Sequence, residues 1–164
     1  MVMQPAAVAE ASPFRRSRGF GLGLRATAGY AGDNELIIFG GGGLVRYIAT
    51  PRIGLELSVD AYGAGDGDDA FLLPIQASGL VFFNTRRSLQ PYLLAGINTS
   101  ILECENADAS FLYAGAHAGV GAELLIGRRL GLTLEARGFV QGLVHGDDEL
   151  EYGVTFNTGF NLYL

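Results

Sequence analysis

The last fourteen residues, EYGVTFNTGFNLYL from Glu151 to Leu164, decide how the rest of the chain is read. Large apolar side chains at Tyr152, Val154, Phe156, Phe160, Leu162 and Leu164 alternate with Gly153, Thr155, Asn157, Gly159 and Asn161. Successive side chains of an extended backbone point to opposite sides, so a period of two marks a strand with one oily and one polar face. The alternation outlasts the ~5–6 residues of an ordinary globular strand. It is also long enough to cross a bilayer, which a tilted strand does in ~9–11 residues. Such a strand requires a large sheet beside it and an apolar neighbour against its oily face.

Seven further segments of the same kind precede it. The first, Arg18 to about Tyr30, sets Phe20, Leu22, Leu24, Ala26 and Ala28 against Gly21, Gly23, Arg25, Thr27 and Gly29. The second runs from Leu36 to Ile48, with its parity fixed by Arg46 between Val45 and Tyr47, and the third from Ile53 to Gly63, with Leu55, Leu57 and Val59 opposite Glu56, Ser58 and Asp60. Phe71 to Asn84 is the fourth, and Pro91 opens the fifth, whose polar face carries Tyr92, Gly96, Asn98 and Ser100. The sixth, Ser110 to Ile126, places Leu112, Val120 and Leu124 opposite His117 and Glu123; the seventh, Leu130 to Val140, places Leu132 and Leu134 opposite Glu135 and Arg137.

Charge sorts itself along this order. Arginines outside the segments fall in the N-terminal stretch or in short turns: Arg15, Arg16, Arg18, Arg52, Arg86, Arg87, Arg128 and Arg129. The long connections and their margins hold the acids instead, among them Asp33, Glu35, Asp66, Asp68, Asp69, Glu103, Glu105, Asp108, Asp147, Asp148 and Glu149. Turns and loops alternate between ends in an up-and-down antiparallel array, so this segregation independently supports the segment count. The expected fold is all-β: an eight-stranded antiparallel up-and-down transmembrane β-barrel, with short turns at one end and longer acidic loops at the other.

Within the segments every charge shares the parity opposite the large apolar side chains: Arg25, Arg46, Glu56, Asp60, Glu123, Glu135 and Arg137. An arginine at the lipid-facing midplane costs ~2–4 kcal/mol, whereas inside the barrel it can meet a carboxylate. A soluble lipocalin-like ligand binder would turn its apolar face inward and its polar face to water. That surface calls for lysine and glutamate, but the chain has no lysine and its polar faces are mostly Gly, Ser, Thr and Asn. Arg46 and Glu56 are expected at similar heights on neighbouring strands, as are Glu123 and Glu135, so an ion-pair network among the seven charges should fill the lumen. Interior glycines at 21, 23, 96, 119, 121 and 159 are expected to leave some volume unfilled.

Apolar residues make up 49% of the chain and mean hydropathy is +0.27, yet no run approaches the ~20 apolar residues a membrane helix needs. One cysteine, Cys104, excludes an internal disulfide and any cysteine cluster. Residues 1–17 are read as a loose N-terminal segment ahead of a barrel over 18–164. Ala7-Val8-Ala9 resembles the end of a signal peptide, although the basic and apolar regions that precede such a site are missing.

Several stretches together carry a family resemblance: Gly19 to Tyr30, Pro91-Tyr92-Leu93-Leu94-Ala95-Gly96, Gly115 to Phe139, and the ending Thr158-Gly159-Phe160-Asn161-Leu162-Tyr163-Leu164, where Leu replaces the usual final Phe. The chain resembles the small eight-stranded outer-membrane barrels related to the OmpA transmembrane domain, OmpX and the opacity proteins. That resemblance implies a bacterial outer-membrane location, contact with lipid and lipopolysaccharide, and assembly by the barrel assembly machinery through the C-terminal strand. It further implies a monomer with a structural or interaction role and short turns facing the periplasm. A cell-wall tether is not expected, because no peptidoglycan-binding domain follows the barrel. The alternative is a narrow channel for small or apolar solutes.

Lipid A-modifying enzymes exist on this architecture, and catalysis would need a nucleophile, a histidine base and an orienting acid. Only His117 and His145 are available, neither with a serine two residues away, so no enzyme is expected. Asp66, Asp68, Asp69, Asp147, Asp148 and Glu149 offer hard oxygen ligands, but their spacing matches no calcium loop. They are read as loop acids with cation contacts at most; no metal site or cofactor is expected, and the net charge of −6 disfavours nucleic acid.

Overall fold

A computed structural model describes residues 18–32, 36–64, 70–104, 109–144 and 150–164. They form eight strands: β1 (Gly19–Ala31), β2 (Leu36–Thr50), β3 (Ile53–Ala64), β4 (Ala70–Phe82), β5 (Leu89–Cys104), β6 (Ala109–Ile126), β7 (Leu130–Leu143) and β8 (Leu150–Tyr163). Each pairs antiparallel with its sequence neighbours, and β8 closes on β1 with Leu24 opposite Phe160, giving a closed barrel. Closure leaves no free sheet edge, the condition for putting strands in hydrocarbon, where an unpaired backbone group finds no water.

The alternating pattern becomes an outside and an inside. Leu24, Phe39, Leu57, Ile97, Leu134 and Phe156 are each more than half exposed, while Arg46, Asp60, Ser58, Glu123 and Asn161 are buried. Exposed Tyr30, Phe39, Phe71 and Tyr152 gather near the long-loop end, and Phe20 and Phe83 near the short-turn end. Aromatic girdles at these levels are where rings with an apolar body and a polar tip meet the headgroups.

Several expected boundaries shift, each for a local reason. β2 extends to Thr50 through a register irregularity between Ile48 and Thr50. β4 stops at Phe82 because Asn84 turns the chain with φ of 57°, a left-handed conformation that asparagine tolerates. β5 starts at Leu89, two residues before Pro91, whose carbonyl still accepts from Phe83 N at 2.8 Å. β7 continues to Leu143, and β5 runs on to Cys104, so Glu103, expected in an acidic loop, is the penultimate residue of a strand. Pro74 lies inside β4, and the β3–β4 ladder skips from Val59–Ile75 to Tyr62–Leu72 around it, since proline has no N–H to donate.

Antiparallel order puts Pro51-Arg52, the turn from Phe83 to Ser88, and Gly127-Arg128-Arg129 at one end. The segments holding Asp66, Asp68, Asp69, Asp147, Asp148 and Glu149, the N-terminal residues 1–17 and His145 lie outside the described residues.

Candidate functional site: the ion-paired lumen

Strand parity alone directs Arg25 of β1, Arg46 of β2, Glu56 and Asp60 of β3, Glu123 of β6, and Glu135 and Arg137 of β7 into the barrel, and all seven are buried. Glu56 is the hub. Its Oε2 accepts from Arg46 Nε at 2.9 Å and also from Nη2, its Oε1 accepts from Arg137 Nη2 at 2.7 Å, and Arg25 Nη1 approaches Oε1 to 3.5 Å. Arg46 and Glu56 are direct cross-strand partners, as the tight β2–β3 turn dictates. Arg25 holds Asp60 through Nε at 2.8 Å and through Nη2, which also reaches Ser58 Oγ at 2.9 Å. Arg137 pairs with Glu135, to which Tyr92 Oη donates at 2.8 Å.

Glu123 and Glu135 are not neighbours in height. Glu123 faces Thr133 and Glu135 faces Gly121, because the three-residue turn after Ile126 sets a register two residues away from the one expected. Each carboxylate consequently acquires its own donors. Glu123 accepts from Asn161 Nδ2 at 2.9 Å and Tyr163 Oη at 2.8 Å, with Arg46 Nη1 at 3.5 Å. The three arginines face four carboxylates, so each ion meets opposite charge or a fixed donor. A buried charge demands that, since an unpaired one costs several kcal/mol of desolvation.

Toward the short turns, Ile48, Leu80, Phe82, Tyr92 and Leu94 form an apolar floor that shares its level with Glu123, opposite Gln90, and Tyr163 packs against it. Arg46 lies over the Tyr92 ring, 5.5 Å from its centroid. Sequence reasoning missed this floor. The signal was present, because Ile48, Leu80, Phe82 and Leu94 occupy inward parity, but apolar residues on both faces of Leu80-Val81-Phe82-Phe83 hide the alternation.

Above the ions, toward the long loops, the interior is largely neutral and hydrogen-bonded, with Glu151 accepting from Gln141 Nε2 at 3.2 Å near the rim. Thr27 Oγ1 donates to Asn157 Oδ1 at 2.7 Å, and Asn98 Nδ2 and Ser100 Oγ donate to Gln141 Oε1 at 3.1 and 3.2 Å. Ser78 Oγ meets His117 Nε2 at 2.8 Å, a contact between strands that are not neighbours. His117 Nδ1 and Asn98 Oδ1 are buried with no protein partner. Polar atoms in that position are ordinarily satisfied by internal water.

The interior glycines are not vacancies. A methyl group at Gly121 would sit 2.5 Å from Cζ of Tyr92, one at Gly23 2.2 Å from Asn161 Oδ1, and one at Gly21 2.9 Å from the Tyr163 ring. At Gly96, Gly119 and Gly159 the obstacle is a neighbouring backbone carbonyl, at 2.0, 2.4 and 2.3 Å. Neighbouring side chains or the tight coiling of a narrow barrel already occupy the space a side chain would take. Among the described residues no three His, Cys, Asp or Glu side chains converge as metal ligands.

A closed barrel with hydrocarbon-facing side chains outside and paired ions within is a transmembrane β-barrel of the smallest kind, filled rather than open. The chain belongs to the family of outer membrane protein beta-barrel domains, which it matches over residues 1–163, and it resides in the bacterial outer membrane. Neisserial surface protein A is 18% identical, with 89% of this chain and 97% of that one covered and a TM-score of 0.76. The N-terminal β-barrel domain of Pseudomonas aeruginosa OprF is 19% identical, covering 89% and 100%, with a TM-score of 0.60. Ail, the attachment invasion locus protein of Yersinia pestis, is 15% identical over 90% and 100%, with a TM-score of 0.56. At such identities the likeness is one of fold. Among curated proteins none matches the sequence. Families of this kind serve structural, adhesion or channel roles.

Proposed function

We propose that this protein is a non-conducting outer-membrane anchor with a structural or interaction role, its polar core acting as a fixed plug. The observation that carries this reading is Glu56, buried at 4% exposure and contacted by Arg25, Arg46 and Arg137 from three different strands. A hub of that kind ties the barrel wall across its lumen, which supports a closed interior at its level. The apolar floor beneath it adds a second closure. Planar-bilayer recording of the purified protein tests this: a flat current trace across voltage is expected, and discrete conductance steps would end the proposal.

The second reading is a narrow path for small solutes, favoured by the buried His117 Nδ1 and Asn98 Oδ1, which imply water above the ion layer. Under the first reading that water ends blindly on Arg25 and Arg137. Outward-facing apolar strands suit contact with lipid and lipopolysaccharide, and the final alternating strand suits recognition by the assembly machinery. A monomer is proposed, with no nucleic-acid partner. The attachment role named for the similarly folded Yersinia protein is consistent with an interaction role carried by the loops.

Catalysis is not part of the proposal. Ser78 and His117 do meet at 2.8 Å, but inside the lumen, and no carboxylate orients Nδ1. Incubation with lipopolysaccharide should release no fatty acid; release abolished by Ser78→Ala would overturn this.

A further inference from the structure

The short-turn end carries a feature that the plug leaves unused. Arg18, Arg52, Arg86, Arg87, Arg128 and Arg129 are all exposed there, and none of the three turns contains an acid. Two of these arginines share a groove of about 630 Å³, lined by Thr50, Arg52 and Ile53 from one turn and Asn84, Thr85 and Arg86 from the next.

The groove is built on fixed backbone. Thr50 Oγ1 accepts from Ile53 N at 3.1 Å and Arg52 N at 3.3 Å, closing the β2–β3 turn. Phe82 N donates to the Arg52 carbonyl at 2.8 Å, tying that turn to the start of its neighbour. In the neighbour, Asn84 adopts φ of 57° and its carbonyl accepts from Arg87 N at 3.0 Å. Little ordering is left to be done when an anion arrives.

The groove is also two-sided in chemistry. Its guanidinium groups sit at the barrel rim, while Ile53, Val81 and Phe83 beside it face the hydrocarbon. We infer that the groove between the β2–β3 and β4–β5 turns binds the phosphate headgroup of an anionic phospholipid in the periplasmic leaflet, with the acyl chains running along Ile53 and Phe83. Guanidinium forks match phosphate oxygens in pairs, and Thr85 and Asn84 can donate to the rest. Among the described residues the three turns hold no acid, so such a lipid meets no carboxylate from them. A free acidic peptide would use the arginines but not the apolar wall, which is why lipid is favoured.

The test is native mass spectrometry of the folded protein in neutral detergent with equal amounts of phosphatidylglycerol and phosphatidylcholine. Wild type should retain phosphatidylglycerol selectively, and R52Q/R86Q should lose about tenfold or more of that bound fraction, at about fivefold per arginine near an anionic headgroup. R128Q/R129Q, on the far turn, should keep it. Equal uptake of both lipids by wild type overturns the inference even if R52Q/R86Q does not fold. An equal loss in both double variants also overturns it, by showing diffuse charge rather than a groove. Competition by inorganic phosphate separates the two sources of phosphate: displacement of the lipid at millimolar phosphate would show that the apolar wall contributes nothing and would rule out the lipid assignment.

Discussion

Replacing Glu56 by glutamine is the most direct test of the lumen. The carboxylate uses both oxygens: one holds Arg46 Nε at 2.9 Å and Nη2, the other holds Arg137 Nη2 at 2.7 Å. Glutamine keeps one acceptor and turns an NH₂ group toward a guanidinium, so at least one arginine loses its partner. Arg25 retains Asp60 and Arg137 retains Glu135, but Arg46 keeps Glu123 at 3.5 Å, Tyr163 Oη at 3.4 Å and the faces of the Tyr92 and Phe82 rings. Three charge-assisted bonds at ~1.5–3 kcal/mol each would sum to more than the real loss, because the survivors rearrange. Removing one partner of a buried pair costs ~3–5 kcal/mol, and the two retained pairs place E56Q at the lower end, about 3–4 kcal/mol. With a urea slope of ~1–3 kcal/mol per molar, the unfolding midpoint should fall by on the order of 2 M. The chain has no tryptophan, so the folded fraction is best followed by heat-modifiable gel mobility and far-ultraviolet circular dichroism. R46Q/E56Q should lose less than the sum of the single variants, since neither ion is then stranded. A loss under about 1 kcal/mol for E56Q, or strict additivity in the pair, would refute the argument from stranded charge.

Other outcomes follow from the same geometry. Gly96→Ala drives a methyl group to 2.0 Å from the Ala77 carbonyl oxygen and should cost roughly 1–3 kcal/mol or more, whereas Gly43→Ala, with nothing nearer than 3.9 Å, should be neutral or slightly stabilising in the same urea titration. Leu57→Arg places a charge on a face 54% exposed to hydrocarbon and should cost ~2–4 kcal/mol of folding stability in lipid vesicles; a neutral result would count against the membrane-facing assignment of that face. E56Q, although destabilised, should still give no current in planar bilayers, and adding Phe82→Ala to it should raise leak conductance above E56Q alone. An equal trace for both would show that the floor does not close the lumen.

The barrel was legible in the sequence because hydrocarbon penalises misplaced charge heavily enough to sort it: Arg25 and Arg137 stand on the same parity as the other buried ions, and Glu103, whose register position opposite Phe71 breaks that parity, lies at the loop-side end of β5. The Arg46–Glu56 pair was legible too, since a tight turn leaves little freedom of register. The Glu123–Glu135 relation was misread although the turn was placed correctly: pairing Ile126 with Leu130 across Gly127-Arg128-Arg129 puts Glu123 opposite Thr133, two positions from Glu135. Glycine misleads for a different reason. Gly121 looks like a gap in a string of letters, but the room is taken by Tyr92 from the adjacent strand. Ser78 and His117 are 39 residues apart on strands that do not pair, so no local pattern announces their contact.

The vertical order of the interior explains why stability and closure are separable properties. Most of the ions sit between a largely neutral hydrogen-bonded chamber on the loop side and an apolar floor on the turn side, Glu123 lies level with that floor, and Arg46 touches both carboxylate and floor, lying 5.5 Å from the Tyr92 centroid. Under the plug reading, water entering from the loop side can solvate Arg25 and Arg137, which weakens the ion pairs, but should find no exit. To pass further it must wet Ile48, Leu80, Phe82 and Leu94 alongside Glu123, Gln90 and Asn161, which are already hydrogen-bonded within the protein, so on that reading little repays the hydrogen bonds water gives up. Under the plug reading, such a constriction should exclude a water column even when the charges above it are loosened. The charges in turn hold the wall in the narrow, tightly coiled shape in which those four side chains can touch. Cutting the ion network should lower the barrier to unfolding long before it opens a path, and only loss of the floor's own bulk should do the reverse.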